Sequence, residues 1–284
     1  MTAERRGVLA IAGAALLWSS GGVGIKLVAA PPLKVACYRS AVAAVALLVL
    51  LRPRLAHRGP AFLATAACYA ACLTTFVVAT KWTTAVNAIF LQYSGVVWVF
   101  LLAPLVVREP YRAGDAVAIA VALGGMALFF VGQVDARGRA GDAVALLSGL
   151  FFAGVVLLLR REPGTAGEAA VTYGNALAAA SLAPFVLSEP AIDRGSAAIL
   201  VLLGTCQIAG AYLLFLRGLR HVRATHASLV GMLEPIANPL WVYLALGELP
   251  SRFAVLGAAV VLTAIAGRTL VPSEPTPPPL VAPD

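Results

Sequence analysis

The chain has 284 residues, of which 61% are hydrophobic and 12% charged, with a mean hydropathy of +0.90 and a formal net charge of +8. Soluble domains carry about twice that share of charge, so the sequence holds too little polar surface to coat a water-soluble fold and is that of an integral membrane protein. The basic residues come in small clusters between apolar runs, the pattern of topology-setting loops, which excludes nucleic acid as a partner.

A membrane helix needs about 20 mostly apolar residues. Ten such spans are predicted: 8–28, 34–51, 60–80, 84–107 and 113–132, then 141–160, 168–188, 196–216, 224–246 and 252–271. The first runs too long for a cleavable signal peptide. It carries Trp18 and Ser19 at depth, small residues at Ser20, Gly21 and Gly24 that allow close helix approach, and Lys26 toward its outer end. Span two contains Arg39, a guanidinium able to bind a carboxylate bidentately. Cys68 and Cys72 share a face of span three but have no histidine or acid beside them to complete a metal set. Span four places Asn87, Leu91, Ser94 and Trp98 on one stripe with Gln92 and Tyr93 adjacent. Tyr173, Asn175, Gln207 and Tyr212 are weaker polar candidates in spans seven and eight.

Span nine is the most informative. Glu234 lies about ten residues in, where an ionised carboxylate costs about 2.5–3.5 kcal/mol on insertion scales. It must face a wet cavity, pair with a cation or hold a proton. Pro235 beside it removes a helix hydrogen bond and frees a carbonyl. Helical spacing groups His226, Val230, Glu234, Asn238 and Trp241 on one face. After span ten comes a proline-rich tail, residues 272–284, predicted to be disordered.

With the N-terminus in the cytoplasm, 13 lysines and arginines fall on the inner side, 6 on the outer side and 2 (Lys26 and Arg39) within spans, accounting for all 21. The positive-inside rule therefore places both termini in the cytoplasm. The two halves also repeat. Gly7 falls on Gly141 and Trp18 on Phe152, while Ala85–Glu109 lies over Ala224–Glu248, matching Asn87 with His226 and Glu109 with Glu248. Five spans per half is an odd number, so the halves, 1–135 and 136–271, must be inverted relative to each other.

The segments "GDAVALLSGLFFAGVVLLLRR" and "ATHASLVGMLEPIANPLWVYLALGE" resemble the two ends of an EamA-type unit of the drug/metabolite transporter superfamily, with the "LEP…LGE" run of Leu233–Pro235 and Leu246–Glu248 the most specific part. The first half departs from that pattern at Ser94-Gly95 and at Arg108. The resemblance implies an all-α integral membrane fold of ten transmembrane helices, as two inverted five-helix repeats around a central cavity lined by spans 1–4 and 6–9. It further implies a secondary active transporter working by alternating access. The expected cargo is a small polar metabolite, an amino acid or related amine, moved outward. Uptake of a quaternary amine such as choline is the alternative.

The expected substrate contacts are Trp18, Ser19, Asn87, Tyr93, Glu234, Asn238 and Trp241. Glu234, His226, Lys26 and Arg39 are the candidates for coupling or gating. Expected partners are the substrate and the lipid bilayer, with a coupling proton as a candidate, for a monomer or homodimer in a bacterial-type inner membrane. No catalytic constellation, phosphate loop or metal cluster occurs in the sequence, so no cofactor is expected. A membrane enzyme acting on lipid or isoprenoid substrates would need such a cluster, and the near-symmetric halves disfavour a channel.

Overall fold

A computed structural model describes residues 2–53, 59–129, 131, 138–162, 165–246 and 251–270. Arg54, Arg58, Arg137, Glu248 and the tail 272–284, all used in the sequence reading, lie outside the described residues.

The described residues form helices throughout. In chain order they are α1 (Ala3–Trp18), α2 (Gly21–Leu27), α3 (Pro32–Leu51), α4 (Pro60–Trp82), α5 (Ala85–Gln92), α6 (Gly95–Val106) and α7 (Ala113–Phe129). Then follow α8 (Arg139–Arg161), α9 (Thr165–Val186), α10 (Arg194–Leu202), a π-helical segment (Leu203–Gly210), α11 (Ala211–Leu219), α12 (Ala224–Gly231), α13 (Leu233–Leu246) and α14 (Arg252–Leu270). Among the described residues, eight continuous or lightly interrupted stretches are long and apolar enough to cross a bilayer, and α7 is a shorter apolar helix. The predicted ninth span is α12 followed by α13. The predicted fourth and first spans are likewise each two helices, α5 with α6 and α1 with α2.

Local chemistry sets the starts and the breaks. Pro32 and Pro60 open α3 and α4 at a position where a missing N–H costs nothing. Thr84 and Asp193 cap α5 and α10 by accepting the N–H groups of Asn87 and Ser196, at 3.0 and 2.9 Å. Arg52, in the left-handed region at φ 46, ends α3. Between α1 and α2, the hydroxyls of Ser19 and Ser20 donate to the carbonyls of Leu16 and Leu17 at 2.6 and 2.8 Å. They compete there with the helix ladder. Between α12 and α13 the cause is Pro235, which has no N–H to offer the Gly231 carbonyl four residues back.

Packing follows the sequence repeat. α4 packs on α8 as α1 packs on α11; α4 meets α9 as the π-helical segment meets α3; and α5 and α6 lean on α8 as α12 and α13 lean on α1. The pairs α3 with α9 and α7 with α14 join counterpart helices directly. Two matched glycines make the same kind of contact. A Cβ on Gly7 would lie 3.0 Å from the Gly218 carbonyl and 2.8 Å from Val222, in the turn after α11. One on Gly141 would lie 2.7 Å from the Thr83 nitrogen, in the turn after α4. Each helix start is thus seated against a turn of the opposite half.

Candidate functional site

The helix breaks gather around one point. Trp18, Gln92 and Glu234, each within two residues of the breaks between α1 and α2, α5 and α6, and α12 and α13, line one small cavity together with Gln207 and Ile208 of the π-helical segment. Irregular backbone at membrane depth is tolerated where it lines such a space, and π-helical turns recur at functional sites. The cavity measures about 30 Å³, enough for about two waters at 10–15 Å³ each. It is lined by the aromatic rings of Trp18, Phe76, Phe152 and Tyr212, by the polar side chains of Arg39, Gln92, Gln207 and Glu234, and by Cys72, Leu73 and Ile208. Trp18 and Phe152, matched by the repeat, meet edge to face at 6.4 Å, and Tyr212 packs 5.0 Å from Trp18.

Glu234 is buried, and its Oε2 lies 2.9 Å from the hydroxyl of Tyr93. The same hydroxyl lies 2.6 Å from the Gly231 carbonyl, the one deprived of its helix partner by Pro235. A phenol has a single proton. The carbonyl can only accept, and the shorter contact goes to it. The 2.9 Å contact is then a hydrogen bond if the Glu234 carboxyl carries its own proton and donates to the phenol oxygen.

Arg39 is fully buried, at 0% exposure. Its Nη1 donates to Gln207 Oε1 and its Nη2 to the Leu73 carbonyl, both at 3.5 Å, and its Nε has no partner. Among the described residues no carboxylate pairs with it. Gln207 Nε2 reaches the Trp18 carbonyl at 3.5 Å. The absence of a side chain at Gly21 makes room for that amide, since a Cβ there would sit 2.6 Å from it.

Of the residues singled out in the sequence, Trp18, Arg39 and Glu234 line the cavity and Tyr93 bonds to Glu234. Ser19 and Trp241 bond to each other instead, with the indole N–H donating to Ser19 Oγ at 2.7 Å; Trp241 remains 38% exposed. Asn238 is buried against Gly22. Asn87 reaches Thr83 and Asp142 at 3.3 and 3.4 Å, and Lys26 donates to the Thr83 carbonyl at 2.7 Å, both at the end of the bundle that carries the α4–α5 turn. His226 lies at the opposite end, its Nε2 3.1 Å from Thr269 Oγ1 and its Nδ1 3.9 Å from Glu4. The expected single stripe from His226 to Trp241 is therefore split. The break at Met232 separates His226 and Val230 in α12 from Glu234, Asn238 and Trp241 in α13, and within α13 Glu234 and Trp241, two turns apart, bond to different neighbours, Tyr93 and Ser19. In span four the break at Tyr93 and Ser94 likewise separates Asn87 and Leu91 from Trp98, which is 42% exposed. Gln92 and Phe152 are lining residues that were noted in the sequence only as neighbours or repeat partners.

Residues 5–131 and 139–269 each match the model of the EamA-like transporter family. The chain belongs to that family. Members of the EamA-like family are membrane transporters of the drug/metabolite type and not enzymes, so the chain is a multi-pass transporter that binds a small molecule within the bilayer. A solved structure named only as a crystal structure of a protein shares the fold, with a TM-score of 0.78 over 94% of this chain and 99% of that one at 16% identity. No curated protein matches.

One feature of this EamA-like chain was not foreseen. Arg160, Arg223 and Arg268, counted in the sequence as loop charges that set topology, are buried in a cluster with Glu109 and Asp115. Arg160 Nε pairs with Glu109 Oε1 at 3.0 Å and Arg223 Nη1 with Asp115 Oδ2 at 2.7 Å, while Arg268 closes on Asp115 Oδ1. Glu109 Oε2 also accepts the Ala224 N–H at 2.9 Å, and Arg223 Nη2 donates to the Pro110 carbonyl at 2.6 Å. Both acids come from the first EamA-like match and all three arginines from the second. The cluster therefore ties the halves together at the end where α6, α8 and α14 finish. The opposite end is held by bonds from Lys26 to the Thr83 carbonyl, from Lys81 to the Val28 carbonyl at 2.6 Å and from the Thr83 hydroxyl to Asp142 at 2.8 Å, and by Lys34, which bonds the Pro190 carbonyl and pairs with Glu189 at 3.6 Å.

Proposed function

We propose that the protein is a secondary active exporter of small polar metabolites, amino acids or related amines, working by alternating access in a bacterial-type inner membrane. Ten spans in two inverted repeats, 1–135 and 136–271, with both termini cytoplasmic, provide the frame. The observation that carries the reading is the central cavity: it is lined by residues of both halves, and polar contacts join the halves at either end of the bundle. At about 30 Å³ it falls far below the roughly 300–1,000 Å³ of a small-molecule pocket. The conformation is an occluded one, and a substrate enters only when one end opens.

The two seals differ in strength. Five buried charges close the end assigned to the cytoplasm, whereas the other relies on hydrogen bonds, each worth about 1 kcal/mol net, and on one partly exposed pair, Lys34 with Glu189 at 3.6 Å. A buried ion pair that loses one partner costs about 3–5 kcal/mol. Opening the outer end is thus the easier excursion from this state. Glu234 supplies the candidate coupling group: it exchanges its proton when the cavity is wetted, and its bond to Tyr93 reports the protonated, closed state.

Counterflow in proteoliposomes tests the carrier reading. Labelled amino acid should accumulate against unlabelled amino acid trapped inside, and absence of exchange across a broad panel of amino acids, amines and other small metabolites would overturn it. Uptake of a quaternary amine remains the second reading, favoured by the aromatic wall of Trp18, Phe152 and Tyr212 around one acid.

A further inference from the structure

We infer that Arg39 is the anchor for a substrate carboxylate, so that the cavity selects solutes bearing that group and rejects quaternary amines. This deepens the transporter reading and rests on it.

The inference starts from an imbalance. Taking a guanidinium out of water is expensive, and proteins normally offset the cost with a carboxylate and a full set of hydrogen bonds. Arg39 is completely buried, yet its five N–H groups find two acceptors at the 3.5 Å limit and its Nε finds none. The contrast within the same chain is informative. Arg223 is also buried but reaches Asp115 at 2.7 Å and a backbone carbonyl at 2.6 Å. Packing alone therefore does not force an arginine to go without an acid here.

Its position gives the imbalance a purpose. Arg39 lies on the wall of the cavity with Gln207 and Gln92, and Glu234 stands on the same wall. Glu234 does not pair with it: among the described residues its carboxyl bonds to Tyr93. With the Tyr93 proton given to the Gly231 carbonyl and Glu234 carrying its own, the cavity holds one net positive charge, which repels a quaternary ammonium and attracts an anion. A guanidinium takes a carboxylate through two parallel bonds, a geometry no backbone carbonyl supplies. An amino acid bound this way directs its ammonium toward the remaining polar wall, where Glu234 and Gln92 are acceptors. A plain carboxylic acid would use the Arg39 half alone.

The test uses the purified full-length protein and its thermal stabilisation by a panel. The panel comprises the twenty amino acids, their decarboxylated amines, their deaminated acids and choline. Stabilising compounds should all carry a carboxylate, and the deaminated acids separate amino-acid selectivity from general carboxylate binding. Arg39→Gln and Arg39→Met should lose that stabilisation, with dissociation constants raised roughly tenfold to a hundredfold, as loss of a charged hydrogen bond predicts. Both variants should hold or raise the Tm of the ligand-free protein, because each removes an unpaired buried charge. Arg39→Lys should recover binding only in part. A lowered ligand-free Tm in both neutral variants would make Arg39 a structural residue and overturn the proposal. So would stabilisation by choline or the amines in wild type that survives Arg39→Gln, or a panel in which no carboxylate binds. Counterflow of amines alone would leave the carrier reading standing while Arg39 fell; absence of all counterflow with carboxylate binding intact would do the reverse.

Discussion

Tyr93→Phe removes one oxygen from a fully packed site, and its cost can be worked out from the partners it leaves. Tyr93 is 2% exposed, and its hydroxyl serves both the Gly231 carbonyl and Glu234. In soluble proteins each stranded buried polar group costs about 1–3 kcal/mol, which would give about 2–6 kcal/mol for the two. Interhelical hydrogen bonds measured inside membranes average about 0.6 kcal/mol and reach about 1.7 kcal/mol. The membrane scale applies to Glu234, which can find another partner when the helices part. It applies less well to Gly231, whose helix partner is permanently absent because residue 235 is proline. The sum is about 2 kcal/mol. For chains of this size class, about 2–4 °C of Tm accompanies each kcal/mol, so Tyr93→Phe should lower Tm by roughly 4–8 °C in detergent. Glu234→Gln, which retains a donor for the phenol oxygen, should cost less. The double variant should cost less than the sum of the two, because contacting residues couple. A Tyr93→Phe protein that melts with wild type, or strictly additive costs, would refute the claim that Gly231, Tyr93 and Glu234 act as one unit.

Four further outcomes are expected. Glu234→Gln should fold and insert normally but lose transport or its dependence on pH in proteoliposomes; wild-type transport at every pH would remove the acid from the mechanism. Trp241→Ala should weaken substrate affinity by a few fold through Ser19 and the adjoining helix break, since the ring stands outside the cavity, and Trp241→Phe should do much the same because the lost N–H is shared by both changes. Asp115→Asn strips a partner from both Arg223 and Arg268, so it should cost about 3–5 kcal/mol and raise thiol labelling of a cysteine placed at that end; unchanged labelling would show that the cluster does not seal it. Gly141→Ala drives a Cβ to 2.7 Å from the backbone of Thr83. Overpacking against backbone costs about 1–3 kcal/mol, and an unaltered Tm would mean that the α4–α5 turn moves freely away.

Much of the molecule was legible in the sequence. Apolar length placed several spans to within a few residues: 60–80 became α4 at Pro60–Trp82, and 141–160 became α8 at Arg139–Arg161. The repeat paired Gly7 with Gly141 and Trp18 with Phe152; the two glycines meet equivalent turns, as equivalent positions in a duplicated fold do, and the two rings meet each other. Glu234 stood out for the physical reason that a carboxyl deep in an apolar run needs a special setting. Pro235 announced a freed carbonyl, although nothing in the sequence said that Tyr93 would take it.

What remained hidden is the choice of inward face. In a soluble helix the solvent-facing side is polar, so periodicity reveals the buried side. Here lipid and protein core are both apolar, and the helices are greasy all round. Spacing alone therefore grouped Trp241 with Glu234, whereas two turns along the same helix the neighbours differ, Tyr93 at one and Ser19 at the other. It could not show that Arg160, Arg223 and Arg268, which look like ordinary helix-end charges, fold inward onto Glu109 and Asp115. Nor could it show the π-helical turn that brings Gln207 to Arg39, which depends on the fit between neighbouring helices. Composition and repetition determined the membrane class and the two-fold repeat, and motif likeness the family; only tertiary packing decided which polar groups share the cavity, because burial in a bilayer is available on every side of a helix and a polar partner on only one.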